Sequence, residues 1–183
     1  MTTESTSIPS TGKTSSSNNG ITVVLLYGDT GTGKTRSVYD TWGDNTDFYR
    51  VPLSTGTIWF DGYDMHKYVL LDDFAGAKSH MTLTMLLQLL DRYPIQVPTK
   101  GGHTWWMPHI IAVTTNIHPR NWYKWEDREN QWAALIRRFT YVYDFNDKSS
   151  SGEPKCKWEP FWESAPLGYG NYSMNFQNNK RTV

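Results

Sequence analysis

The chain has 183 residues and a single cysteine, Cys156, and its 18 Lys+Arg balance 18 Asp+Glu to a formal net charge of zero. That length suits one domain with tails and a core needing no disulfide support, and one cysteine excludes an intramolecular disulfide. The balanced charge excludes a global basic field, so any nucleic-acid contact rests on a local patch or on one residue repeated around an oligomer.

Residues 1–20, MTTESTSIPSTGKTSSSNNG, are mostly Ser, Thr, Asn and Gly and read as a disordered tail or linker. They hold no apolar signal segment. From Ile21, ITVVLLY is a short β-branched apolar run followed by glycine, the pattern of a fully buried strand. GKTRSVYDTW has helical character. DFYRVPL and TIWFDGY are aromatic segments that suit short strands or ordered loops. KYVLLDDF is a second buried strand, ending in two carboxylates. MTLTMLLQLLDRY is apolar at helical spacing through Met81, Met85, Leu86, Leu89 and Leu90 and stops before Pro94, which predicts a helix. PIQVPTKGGHTWW predicts a hairpin turning at Gly101-Gly102. HIIAVTTN is a third buried strand, EDRENQWAALIRRF a further helix, and FTYVYDF alternates like a strand.

Residues 146–183 are polar and Pro-rich and read as an irregular tail. No apolar run approaches the ~20 residues of a membrane span, so a soluble, intracellular protein without membrane contact is expected. Nine Trp predict a core filled with rings, a minority being free to stack on bases. Buried strands alternating with helices predict an α/β fold over residues 21–145, with a mostly parallel central sheet and helices on both faces.

The tetrapeptide TGKT occurs at residues 11–14 and again at 32–35. A phosphate-binding loop must follow a rigid strand, carry glycines that let backbone N–H groups wrap the anion, and open a helix. The first copy has Ser7 where the pattern needs glycine, with no strand before it. The second completes G-x-x-x-x-G-K-[ST] as Gly28, Asp29, Thr30, Gly31, Thr32, Gly33, Lys34 and Thr35, between a strand and a helix. It predicts a nucleoside triphosphate site. Lys34 is expected on the β- and γ-phosphates and the Thr35 hydroxyl on Mg²⁺.

Hydrolysis needs more than binding. Asp72 ends a buried strand that is expected beside the loop strand, facing the metal, and Asp73 is placed to polarise water. Two Asp capping a strand end is the plain alternative. Asn116 ends the third strand, either at the γ-phosphate or in a turn before His118-Pro119. Arg137 and Arg138 lie near a helix end, where cations favour the dipole. One of them, Arg138 by preference, is a candidate arginine finger acting from a neighbouring subunit. Lys100, with His103 nearby, stands at a hairpin tip. One lysine says little alone, but a ring would place one per subunit in a channel that grips a phosphate backbone.

This order of motifs, with WFDGY, LLDDF, DRYP, TKGG and RRF, resembles the superfamily-three helicase domain of the replication-associated proteins of circular single-stranded-DNA viruses, circovirus-like in type. The resemblance covers residues 21–145. It implies an AAA+-like P-loop NTPase fold, ATP and Mg²⁺ as cofactors, and a homo-oligomer, typically a hexameric ring. It also implies translocation on single-stranded DNA during rolling-circle replication in the host cell nucleus. It assigns the loop roles to Gly28, Gly33, Lys34 and Thr35, the acidic pair to Asp72 and Asp73, the sensor to Asn116, the finger to Arg138 and the DNA-contacting hairpin to Lys100 and His103. Full-length members of that group begin with an endonuclease domain, which needs paired histidines and a Tyr-x-x-Lys motif. Neither occurs here, so nickase activity is not expected. A catalytically silent nucleotide-binding assembly module and an RNA-directed ATPase are the alternatives on the same fold.

Overall fold

The computed structural model describes residues 20–42, 48–53, 56–148, 150–152 and 154–156. Apart from Gly20, the tail expected over residues 1–20, including the first TGKT, lies outside them. So does most of the expected C-terminal tail.

The elements in chain order are β1 (Thr22–Tyr27), α1 (Lys34–Trp42), β2 (Phe48–Arg50), β3 (Tyr68–Leu71), α2 (Leu83–Leu89), β4 (Ile95–Thr99), β5 (Gly102–Trp106), β6 (Ile110–Thr115), α3 (Glu129–Arg138), β7 (Tyr141–Lys148) and β8 (Pro154–Cys156). The main sheet has the order β2-β3-β6-β1-β7-β8, and β4 with β5 forms a separate hairpin. Every pairing in the main sheet is parallel except β7 with β8. This is the α/β P-loop NTPase architecture that the strand–helix alternation predicts.

Alternation along the strands sorts the two faces. Val23 and Leu25 of β1, Val69 and Leu71 of β3 and Ile111 and Val113 of β6 join the larger core, beneath α2 and α3. Leu26, Leu70 and Ala112 turn the other way, towards Val38 of α1. Four tryptophans, Trp106, Trp122, Trp125 and Trp132, are fully buried in the larger core, so most of the described rings are structural. TIWFDGY forms no strand. It is an ordered loop that buries Ile58, Phe60 and Tyr63 against the hairpin and Trp106.

Three sequence expectations change. First, β3 is not beside β1, because β6 lies between them. Five of the six β6 residues are buried, which suits a strand covered on both faces at the sheet centre. Second, α2 stops at Leu89 rather than running towards Tyr93. Its last carbonyls are captured from outside: the Trp106 indole N–H donates to Leu89 O (2.8 Å), Arg138 Nε to Leu87 O (2.8 Å) and the Asp91 N–H to Gln88 O (3.2 Å). Third, the hairpin turns at Lys100-Gly101, with Thr99 paired to Gly102. The Lys100 N–H donates to Asp61 Oδ1 (2.8 Å), which fixes the turn one residue earlier.

The Trp106 contact joins the hairpin to α2, so its loss should be felt globally. Trp106→Phe keeps the ring but leaves the Leu89 carbonyl buried and unpaired, which costs about 1–3 kcal/mol. Trp105→Ser, at a half-exposed position on the same strand, should change stability by no more than about 0.5 kcal/mol. Urea unfolding of both variants checks the contrast.

Candidate functional site

In a parallel sheet the C-terminal ends of the strands lie along one edge, and here they carry the predicted residues. The loop 28–35 leaves β1 at that edge and opens α1 at Lys34, with the Ser37 N–H donating to Gly33 O (2.9 Å). Gly31 (φ 83°) and Gly33 (φ 96°) have left-handed backbones that favour glycine. Gly28 is required for space, because a Cβ there would sit 2.9 Å from Phe145 Cβ and 3.1 Å from Thr32 Oγ1.

Lys34 is only 8% exposed. Its ammonium donates to Gly28 O and Asp29 O, both at 2.7 Å. Burial pulls its pKa below the ordinary lysine value, while Asp73, Asp29 and Asp72 oppose that shift.

Asp72 is the meeting point of the site. Its Oδ1 accepts from the Thr35 hydroxyl (2.6 Å) and from the Thr114 hydroxyl (2.7 Å). Its Oδ2 accepts from Arg50 Nη2 (2.6 Å). The register explains the convergence. Arg50 pairs with Leu70, and Leu70 with Ala112, so Arg50, Asp72 and Thr114 all share the α1 face of the sheet. Asp73 follows in the left-handed region (φ 52°), which Asp tolerates better than most residues, and its N–H donates to Thr114 Oγ1 (2.8 Å).

A cleft of about 320 Å³ is lined by Thr30, Gly31, Gly33, Lys34, Thr35, Asp73 and Thr114, among others. Asn116 stands beside it and donates to Thr30 Oγ1 (3.3 Å). The structure thus brings Gly28 to Thr35, Asp72, Asp73 and Asn116 together. The hydroxyl of Thr35 and the carboxylate of Asp72 form a hard-oxygen pair that fits Mg²⁺, which takes few protein ligands and completes its shell with phosphate and water. No group of three or more His, Cys, Asp or Glu able to hold a metal occurs among the described residues.

Other expected residues lie apart from the cleft. Lys100 is at the hairpin tip, its ammonium 3.7 Å from Asp61, and His103 is exposed on β5. Arg138 is engaged within its own chain: besides Leu87 O it donates to Ala134 O (3.0 Å) and pairs with Asp91 (2.5 Å). Arg137, its neighbour, is exposed.

A family model described as RNA helicase matches residues 24–117, about half the chain and all of the loop, the acidic pair, the hairpin and Asn116. The chain belongs to this helicase family. Its relatives include the replication-associated proteins of beak and feather disease virus, 38% identical over 72% of this chain, and canary circovirus, 36% identical over 55%. That of porcine circovirus 1 is 34% identical over 84% of this chain. The helicase-family chain spans 42%, 32% and 47% of those three relatives.

Four residues of this candidate site escape sequence reasoning. Thr114 is visible only as a polar residue near a strand end. Arg50 is a lone cation in an aromatic segment. Asn146 and Lys148 lie beyond Phe145, where an irregular tail is expected, yet β7 runs on to Lys148. Asn146 Oδ1 accepts from the Asp29 N–H (2.9 Å) and Lys148 Nζ reaches Thr32 O (3.5 Å), so β7 buttresses the loop from the side opposite β6.

Removing that support should loosen the loop without unfolding the core. Asn146→Ala is expected to speed hydrogen exchange at the Asp29 amide about fivefold, for a bond contributing ~1 kcal/mol. Exchange within β1 should stay unchanged, which amide exchange read by NMR checks.

Proposed function

We propose that this helicase domain is an ATP-driven motor that moves on single-stranded DNA during rolling-circle replication of a viral genome, working as a homo-oligomeric ring, by family a hexamer, in the host cell nucleus. The observation that carries the reading is the 2.6 Å Thr35–Asp72 contact at the mouth of a glycine loop, beside buried Lys34.

The chain's residues divide the work. Amides of residues 29–35 and the α1 N-terminus cradle the phosphates. Lys34 exchanges its two carbonyl partners for phosphate oxygens. Thr35 and Asp72 hold Mg²⁺, which supplies charge neutralisation at the phosphates. Asp73 orients and polarises the attacking water, and Asn116 senses the terminal phosphate from β6. A finger must reach a neighbouring subunit's site. Arg137 suits that role better than Arg138, because Arg138 is consumed by the ends of α2 and α3.

At the hairpin tip Lys100 is 76% exposed and its pairing to Asp61 is long, an arrangement worth little in water. A nucleic-acid phosphate can take Asp61's place, with His103 alongside. The family description favours RNA as a second substrate to test. These 183 residues contain neither the paired histidines nor the Tyr-x-x-Lys pattern of a nicking site, so the proposal extends only to the motor.

Steady-state ATP hydrolysis with Mg²⁺ tests this reading, with and without single-stranded DNA or RNA. Turnover should rise with DNA and fall to background in Lys34→Ala. Asp73→Asn, which tolerates the left-handed backbone, should keep its melting temperature and lose at least about 100-fold in rate. A wild type that binds ATP but turns over no faster than Lys34→Ala would reduce the domain to a silent assembly module.

The two arginines separate in a second experiment. Arg137→Ala should lose turnover at unchanged thermal stability, and mixing it with Lys34→Ala should restore part of the rate through shared sites. Arg138→Ala should lower stability by about 1–3 kcal/mol, because carbonyls of α2 and α3 and the Asp91 carboxylate lose their donor. The reverse pattern would return the finger to Arg138.

A further inference from the structure

Arg50 has no place in the motif set, yet it makes one of the shortest contacts to Asp72. It ends β2, an edge strand, and the parallel register carries it to the same edge as the glycine loop. The pairing continues one residue further, with the Val51 N–H donating to Leu70 O (2.9 Å), which fixes the strand end against β3. Phe48, two residues earlier on the same face, makes edge contacts with the rings of Tyr39 and Trp42 of α1. The backbone of Arg50 is therefore anchored, while its guanidinium reaches over the sheet edge.

The pair is asymmetric. The side chain of Asp72 is 8% exposed and that of Arg50 is 57% exposed. Arg50 and Asp72 line a separate cleft of about 370 Å³ with Val51, Pro52 and Leu53, whereas their partners Thr35 and Thr114 line the loop cleft. The two hydroxyls meet Oδ1, whereas Arg50 alone of the donors described meets Oδ2. The Thr35 bond is compatible with metal binding, because the hydroxyl donates its hydrogen bond to Asp72 and keeps its lone pairs free. Arg50 is not compatible in that way. A guanidinium and a divalent cation both require the same carboxylate charge, and each repels the other.

We propose that Arg50 competes with the divalent cation for Asp72 and so sets the Mg²⁺ concentration at which the site loads. This inference rests on the nucleotide-site reading above. Arg50 is a positioning residue here: it acts through Asp72, and its largely solvated side chain has open solvent to move into when a doubly charged ion claims the carboxylate. The geometry keeps the Asp72 carboxylate neutralised at low Mg²⁺, where its two hydroxyl donors alone would leave its charge unbalanced. It also delays metal loading until a nucleotide supplies further oxygens.

The test is binding rather than turnover. A fluorescent ATP analogue is titrated onto the full chain at a series of Mg²⁺ concentrations, and separately in EDTA. Arg50→Ala should lower the half-saturating Mg²⁺ roughly two- to fivefold, the scale of a half-exposed ion pair. Affinity in EDTA should not rise in Arg50→Ala, because Arg50 does not line the loop cleft and its loss leaves the Asp72 charge unneutralised. Arg50→Lys, which keeps the charge, should stay near wild type and controls for folding. Direct Mn²⁺ binding followed by electron paramagnetic resonance should shift in the same direction. A half-saturation that rises in Arg50→Ala would show that Arg50 holds the carboxylate ready for metal, and an unchanged one would reduce the pair to a surface contact. Either result overturns the proposal while leaving the nucleotide site standing. Absence of nucleotide binding in the wild type, with or without Mg²⁺, would remove both.

Discussion

One carboxylate organises the chemistry of this domain. Asp72 directly follows β3, and three separate elements send a donor to it: Thr35 from α1, Thr114 from β6 and Arg50 from β2. None is its neighbour in sequence. They meet because parallel strands place equivalent positions on one face and at one edge. A one-residue slip of β3 would turn Asp72 to the opposite face and break all three bonds together. The apolar alternation of Val69, Leu70 and Leu71 thus does more than bury surface. It fixes the orientation of the charged residue that follows.

The glycine loop depends on the same sheet from both sides. β6 and β7 flank β1, and each sends contacts from its far end: the Gly28 N–H donates to Thr115 O (3.1 Å), Asn116 reaches Thr30, and Asn146 accepts from the Asp29 amide. Lys34 completes the frame from within by bonding the first two loop carbonyls. The loop's curvature is therefore held by side chains as well as by its glycines. This is why a loop so rich in glycine keeps one shape, although glycine alone would make it entropically soft.

The sequence carried the loop, the acidic pair and Asn116 legibly, because each is a short pattern at the end of an apolar run. It carried the fold class for the same reason. Strand order was not legible. KYVLLDDF and HIIAVTTN are equally apolar, and nothing local says which one sits against β1. The early stop of α2 was hidden because its carbonyls are captured by Trp106 and Arg138, which are distant in sequence. Asn146 and Lys148 were hidden by composition, since a strand end that faces the loop rather than the core looks like the start of a tail. Arg50 could be found only through the register of β2 with β3, and three residues of strand leave almost no periodic signal.

The neutral charge also acquires a physical meaning. Several key cations are already matched within the chain: Lys34 with backbone carbonyls, Arg50 with Asp72, Lys100 with Asp61 and Arg138 with Asp91. In the proposed motor, a phosphate approaching Lys34 or Lys100 would exchange one partner for another rather than neutralise a bare positive field. Such exchange has a small net free energy when the original partner is solvated, as at Lys100, and a larger barrier when the cation is buried, as at Lys34. Affinity is thereby graded by burial. On that proposal the hairpin tip would take and release phosphates quickly, whereas the loop lysine would change partners only for a ligand that also satisfies the surrounding amides. A chain with a large excess of positive charge would lose that distinction, because its field would hold any polyanion at every cation alike.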